Sequence, residues 1–287
     1  MKKLAVFMLV AALAVSTLLV GCGDEEASSS AVSTESAVSE AASEAASEAT
    51  SETASEATSE ATSEATSEDV KSEGVMTYEE YAAAALDSEV VIEAYVQAKQ
   101  SWWDNKAVIY TQDKDGAYFI YQMPCTEDEF NALTIGTKIR VKGYKSEWSG
   151  EIEITDATYE VLEGNYVAEA TDVTEILGNE AELLKKQNMF VAFKGLTIVA
   201  KKDANGADVA YLYKYDGSGQ DGDDLYFDVT DGTNTYTFTV ESYLCDKTTD
   251  VYAAVKALNV GDKVNMEGFL YWYNGINPHI TKVEIAE

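Results

Sequence analysis

Histidine is almost missing from this chain, which has a single one, His279. Cysteine is nearly as scarce, with Cys22, Cys125 and Cys245. With no CxxC pair and no Cys/His cluster, zinc of the usual kind has no ligand set. So few thiols also exclude a small secreted scaffold held together by disulfides. Cys125 and Cys245 stand at matching places in two similar segments. Matching places in separate domains lie far apart, so both are expected as buried thiols. Positive charge is short as well: 20 Lys and Arg stand against 51 Asp and Glu, a net charge of -31. Residues 74–287 alone hold 17 basic and 37 acidic residues, a net -20. Nucleic-acid affinity rests on Lys and Arg neutralising phosphates, and no basic stripe is present, so the expectation is no nucleic-acid partner. His279 has no Ser, Cys or metal partner in sequence and reads as a surface or turn histidine. No catalytic constellation emerges, so the chain is expected to be no enzyme and to carry no cofactor.

What is present begins with Lys2 and Lys3 and an apolar run from Leu4 to Val20. A charged start and a short apolar core describe a signal peptide and not a stable membrane span. The run ends Leu19-Val20-Gly21-Cys22, which resembles the lipobox of bacterial lipoproteins. The resemblance implies that residues 1–21 are removed and that the Cys22 thiol carries a diacylglyceryl group. The protein would then be lipid-anchored (the palmitate type) on the extracellular face of the cell membrane, the anchor lipid being one partner. Two or more acyl chains, at about 0.8 kcal/mol per buried CH₂, hold a protein firmly. Residues 22–74 follow as a tether of Ser, Glu, Ala and Thr, with a four-residue repeat from Ser39 to Glu68. Glutamates four apart oppose a helix, and nothing there can form a core, so disorder is expected. A linker of that length spans roughly 40 Å r.m.s..

The rest contains an internal repeat. In the first copy an Ala-rich helix (78–86) precedes strand-like runs at 90–100, 107–112 and 117–123, then Cys125, a helix at 127–133, Gly136, and two more strands about a turn at Ser149-Gly150. In the second a helix at 173–186 precedes strands at 189–201, 224–229 and 235–243. Cys245, a helix at 249–258, Gly261 and two strands about Asn274-Gly275 follow. Ile135-Gly136-Thr137-Lys138 matches Val260-Gly261-Asp262-Lys263 in spacing, and the second copy has an extra excursion at 203–223. Alternation such as Leu225, Phe227 and Val229 against Tyr226 and Asp228 supports strands. Each copy resembles the OB-fold, a five-stranded barrel with a helix between strands three and four. The chain is therefore expected to be mostly β, with two tandem OB-fold-like five-stranded barrels spanning 75–164 and 165–287. Overall it also resembles surface lipoproteins of Clostridia-type bacteria, a likeness that brings no activity with it.

OB-folds bind ligands across strands two and three, flanked by the loops after strands one and four. Aromatics gather there: Trp102 and Trp103 in the first turn of copy one, Trp148 in its last, and Tyr271, Trp272 and Tyr273 in the last turn of copy two. Exposed rings stack on sugar faces or other rings. These six are the candidate ligand residues, and a non-catalytic module for a glycan or cell-envelope ligand is the expectation. A structural or protein–protein accessory of a surface complex is the alternative. The acidic, Gly-rich loop at 216–224 offers hard oxygens for Ca²⁺, yet its spacing departs from an EF-hand, and it reads as a solvated loop without metal.

Overall fold

The computed structural model describes residues 71–286. The readings made for the signal peptide, for Cys22 and for the Ser39–Glu68 repeat fall outside the described residues.

Helix α1 (Tyr78–Ala83) starts where Thr77 and Glu80 exchange hydrogen bonds in a capping box, which satisfies two otherwise orphaned N–H groups. Strands β1 (Glu89–Lys99), β2 (Lys106–Gln112), β3 (Ala117–Pro124), β4 (Thr137–Trp148) and β5 (Glu151–Asn165) follow, with α2 (Glu127–Ala132) between β3 and β4. They close in the order β1-β2-β3-β5-β4, and the closing contact is a parallel one, Phe119 opposite Glu153. Val90, Ile92, Ile109, Tyr118, Ile120, Ile139 and Val141 fill the interior.

The second half repeats the scheme. A two-residue strand β6 (Thr171–Asp172), a 3-10 turn (Thr174–Ile176) and α3 (Glu180–Leu184) lead into β7 (Phe190–Val199). Three two-residue strands follow, β8 (Lys201–Lys202) at the entry to the excursion and β9 (Asp208–Val209) and β10 (Leu212–Tyr213) within it. Then come β11 (Leu225–Thr230), β12 (Thr235–Val240), α4 (Asp250–Lys256), β13 (Lys263–Phe269) and β14 (His279–Ile285). The sheet runs β11-β12-β14-β13-β7, and a β7–β11 pairing closes it. Thr239 opposite His279, again parallel, is the counterpart of the β3–β5 contact. The protein is thus mostly β, with two closed five-stranded barrels and a helix between the third and fourth strands of each.

One local expectation is corrected. The helix expected over 173–186 is split into the 3-10 turn and the short α3. Gly178 ends the first piece, and the Asn179 side chain accepts from the Glu182 N–H to begin the second. Gly143 and Gly268 stand at equivalent places where the last strand passes closest. A Cβ would sit 2.7 Å from the Thr155 carbonyl oxygen at Gly143 and 2.3 Å from that of His279 at Gly268. Only glycine admits so close a backbone approach.

The barrels are joined by apolar and polar contacts alike. Tyr110 and Phe119, on the outside of β2 and β3, pack with Phe269, flanked by Phe190 and Tyr271. Tyr110 and Phe269 stack with centroids 4.4 Å apart. Around this patch the Gln112 side chain accepts from the Phe190 N–H at 2.8 Å, and Asn188 Nδ2 donates to the Ile152 carbonyl at 3.1 Å. Glu151, wholly buried, accepts from the Trp272 N–H at 2.9 Å and from Gln187 Nε2 at 3.1 Å.

Candidate functional site

In the second barrel Leu225, Phe227, Val229, Phe238 and Val240 point into the core. The two-residue period of a strand then turns Tyr226, Asp228, Thr237, Thr239 and, just past β12, Glu241 outward. A cleft of about 760 Å³ lies over Tyr226, Thr237, Thr239 and Glu241. Lys201 and Tyr215 of the excursion form one wall, and Tyr271, Tyr273, Asn277 and His279 of the last hairpin form another. The first barrel adds Trp148 and Gln100. The cleft therefore occupies the strand-two, strand-three face of the second barrel.

Several polar groups of the cleft are already paired. Asp228 Oδ1 accepts from Lys201 Nζ and from Thr237 Oγ1, both at 2.8 Å. Thr239 Oγ1 donates to Asn277 Oδ1 at 2.8 Å. Asp224, just before β11, accepts from the Ser242 N–H and hydroxyl. Glu241 differs: one carboxylate oxygen accepts from the Tyr243 N–H at 3.3 Å, whereas Oε2 is shut off from solvent and has no hydrogen-bond partner. Burial, and next the nearby Asp224 carboxylate, push the Glu241 carboxyl up to about 7.

The six aromatics predicted from sequence are not one platform. Trp148 (53 % exposed) and Tyr273 (48 %) meet at the cleft mouth with ring centroids 5.1 Å apart. Tyr271 forms part of its floor and stacks on the His279 ring at 4.2 Å. Trp272 is turned inward, 4 % exposed, as a member of the second core. Trp102 packs on the first core and donates its indole N–H to the Cys125 carbonyl at 3.1 Å. Trp103 is the most exposed at 78 %, but it lines a separate shallow hollow with Tyr121 and Tyr243. Sequence reasoning missed Tyr215, Tyr226, Thr237, Thr239, Glu241 and His279. For the β11 and β12 residues the signal was available, because alternation assigns their outer face.

His279 is not at the surface, contrary to its sequence reading. It is 7 % exposed, and its Nδ1 shares a 2.8 Å hydrogen bond with the Tyr110 hydroxyl of the other barrel. Burial holds the imidazole neutral, with its pKa down to about 3. The acidic 216–224 loop spends its side chains internally: Asp216 caps Ser218, Asp223 accepts from the Gln220 N–H, and Asp221 pairs with Lys256 at 2.5 Å. Among the described residues no group of three or more His, Cys, Asp or Glu is placed to hold a metal ion. Cys125 and Cys245 are free and buried.

No family model matches the chain, and no curated protein matches it. Solved structures of similar architecture exist at low identity. A murine DNA-binding protein bound with double-stranded DNA has a TM-score of 0.34 and 11 % identity, over 69 % of this chain and 96 % of that one. The Ifi202 HINa domain in complex with a 20bp double-stranded DNA has a TM-score of 0.33 and 12 % identity, over 69 % and 100 %. A Replication Protein A heterotrimer bound to single-stranded DNA has a TM-score of 0.28 and 10 % identity, over 72 % and 52 %. These likenesses concern the fold. They correct two expectations all the same. The three proteins just named are bound to DNA, against the expectations of a glycan or cell-envelope ligand and of no nucleic-acid partner. The rim of water-facing indoles on which the glycan reading stood is also incomplete, since Trp102 and Trp272 are turned in.

Proposed function

We propose that the tandem barrels form a non-catalytic binding module that takes a planar heteroaromatic ring, of the nucleobase class, in the cleft of the second barrel. The observation that carries this reading is the cleft itself: about 760 Å³ of space walled by Trp148, Tyr215, Tyr226, Tyr271 and Tyr273. Flat rings stack on aromatic faces irrespective of their sequence context, at about 1–3 kcal/mol per base. Thr237, Thr239 and Asn277 offer hydroxyl and amide groups to a ring edge. The mutual pairing of Asp228, Lys201 and Thr237 and the neutral His279, bonded to Tyr110 and stacked on Tyr271, suit holding a ligand and leave no nucleophile–base pair in the cleft. The net -20 of residues 74–287 favours nucleosides or very short strands over long polyanions.

Calorimetric titration with nucleosides and with a short single-stranded oligonucleotide tests this. Nucleosides should bind, and W148A should weaken them by roughly tenfold. Oligonucleotide affinity should rise with added salt, the reverse of the usual counterion slope, because screening relieves repulsion. Failure of every nucleoside and oligonucleotide to bind at millimolar concentration sinks the reading.

The lipobox resemblance at Leu19–Cys22 supports a further part of the proposal: the module is tethered to the extracellular face of the membrane through lipidated Cys22. C22S should release the protein into the medium, and retention of that variant in the membrane fraction would refute the anchor.

A further inference from the structure

Resting on that reading of the cleft, we infer that its ligand presents two adjacent N–H donors in the ring plane, which the Glu241 carboxylate accepts. The chemistry is shared by a guanine-type base edge and by an amidinium cation.

The inference starts from an unfinished hydrogen-bond inventory. A carboxylate offers about four lone-pair sites. Glu241 lines the cleft and uses one oxygen for the Tyr243 N–H, while Oε2 is buried with no partner. Buried polar groups in native proteins are almost always satisfied, so an orphan at a cleft wall marks a place where something else completes the set. Among the described residues no cation is paired with it. The groups that act on Glu241 are the Asp224 carboxylate and the backbone N–H groups of Tyr243 and Leu244. Lys201, the lysine of the cleft, is paired with Asp228.

What faces Glu241 is otherwise aromatic or acidic. Tyr226 of β11, Tyr110 of β2 and Tyr271 after β13 all feel its charge, as does the Cys245 thiol behind it. His279 of β14 shares the cleft and is neutral. Aromatic walls fix the plane of a flat ligand, and a carboxylate at the edge of that plane accepts two parallel N–H bonds in fork geometry. Rotation about the terminal side-chain torsion of a glutamate is soft, so a partial turn of the carboxylate brings Oε2 from its sealed position towards the cleft when a ligand enters. A ligand donating two N–H bonds also favours the charged form of a carboxyl that burial has pushed up to about 7, so its affinity should rise as the pH climbs through 7.

The test is calorimetric titration of the protein at pH 6 and pH 8 with guanosine, inosine, benzamidine and benzyl alcohol. Inosine lacks the exocyclic amino group and offers one N–H, and benzyl alcohol offers none. Guanosine should exceed inosine by tenfold or more, or benzamidine should exceed benzyl alcohol by as much. The arm that wins names the source as neutral base or cation. E241Q should abolish that preference and its pH dependence while leaving the circular dichroism spectrum unchanged, which separates recognition from misfolding. Equal binding within both pairs, or a preference that survives in E241Q, overturns the inference and leaves the ring-binding reading standing. Absence of binding by every compound overturns both.

Discussion

The two barrels present the same face to opposite fates. In the first, the outward residues of β2 and β3 include Val108, Tyr110 and Phe119, and the second barrel covers them. In the second, the outward residues of β11 and β12 include Tyr226, Thr237 and Thr239, and they line an open cleft. A strand buried on both faces loses its alternation, and one covered on a single face keeps it. Ala107-Val108-Ile109-Tyr110 is a continuous apolar run; Leu225-Tyr226-Phe227-Asp228-Val229 alternates. One barrel has turned the outer face of its second and third strands into an interface, and the other has kept it free. Matched truncations break the comparison most sharply. Tyr110 is fully buried, stacked on Phe269 and bonded to His279. Y110A removes a large ring and strands a buried imidazole nitrogen, and should cost about 4 kcal/mol in urea unfolding. Y226A, at the equivalent strand of the other barrel, should cost less than about 1 kcal/mol and instead weaken nucleoside binding. Equal stability losses would show that the two faces are not energetically distinct.

The junction also sets the response to pH. Glu151 is buried there, and desolvation pushes its carboxyl up to about 8. The unfolded chain gives up that proton near 4.5, so between 4.5 and 8 the folded state binds more protons than the unfolded one. Stability must then fall as the pH rises across that window and level off above it, by on the order of 5 kcal/mol. Glu241, at about 7, adds a decline over a narrower range. His279 acts on the acid side with the opposite sign. Its folded pKa of about 3 lies below the unfolded 6.5, so stability is lost as the pH falls from 6.5 towards 3. E151Q keeps an acceptor for the Trp272 N–H and should flatten the decline between pH 4.5 and 8, leaving the His279 limb intact. Denaturant midpoints measured from pH 4 to 9 check this, and an unchanged profile in E151Q would remove Glu151 as the cause.

Much of the architecture was legible because its signals are local. The Gly136 and Gly261 matches, the alternation of β11 and β12 and the turns at Gly150 and Gly275 each sit within a few residues, and together they give the strand–strand–strand–helix–strand–strand order twice. The site was legible only in part. Trp148, Tyr271 and Tyr273 were found because they lie in the loop after a fourth strand. Trp272, between two of them, faces the other way, and no local pattern in a three-residue aromatic turn decides which ring goes in. Glu241 is one of 51 acidic residues, and what distinguishes it is a sealed, unpartnered Oε2 on a side chain that lines the cleft. His279 owes its burial to Tyr110, 169 residues earlier, a contact that leaves no trace in the surrounding sequence.

The smallest effect expected is the one that separates exposure from function. Trp103 is more exposed than Trp148, at 78 % against 53 %, and both follow from loops that flank an OB ligand face. Yet Trp103 belongs to the barrel whose strand-two face is covered, and it points into a hollow shared with Tyr121 and Tyr243. Trp148 reaches across the junction to Tyr273 at the mouth of the open cleft. W103A should therefore change stability by no more than about 0.5 kcal/mol and leave nucleoside affinity where it was. W148A should share the small stability effect and differ in binding alone. A loss of binding in W103A equal to that in W148A would place the ligand in the Trp103 hollow and reverse the roles assigned to the two barrels.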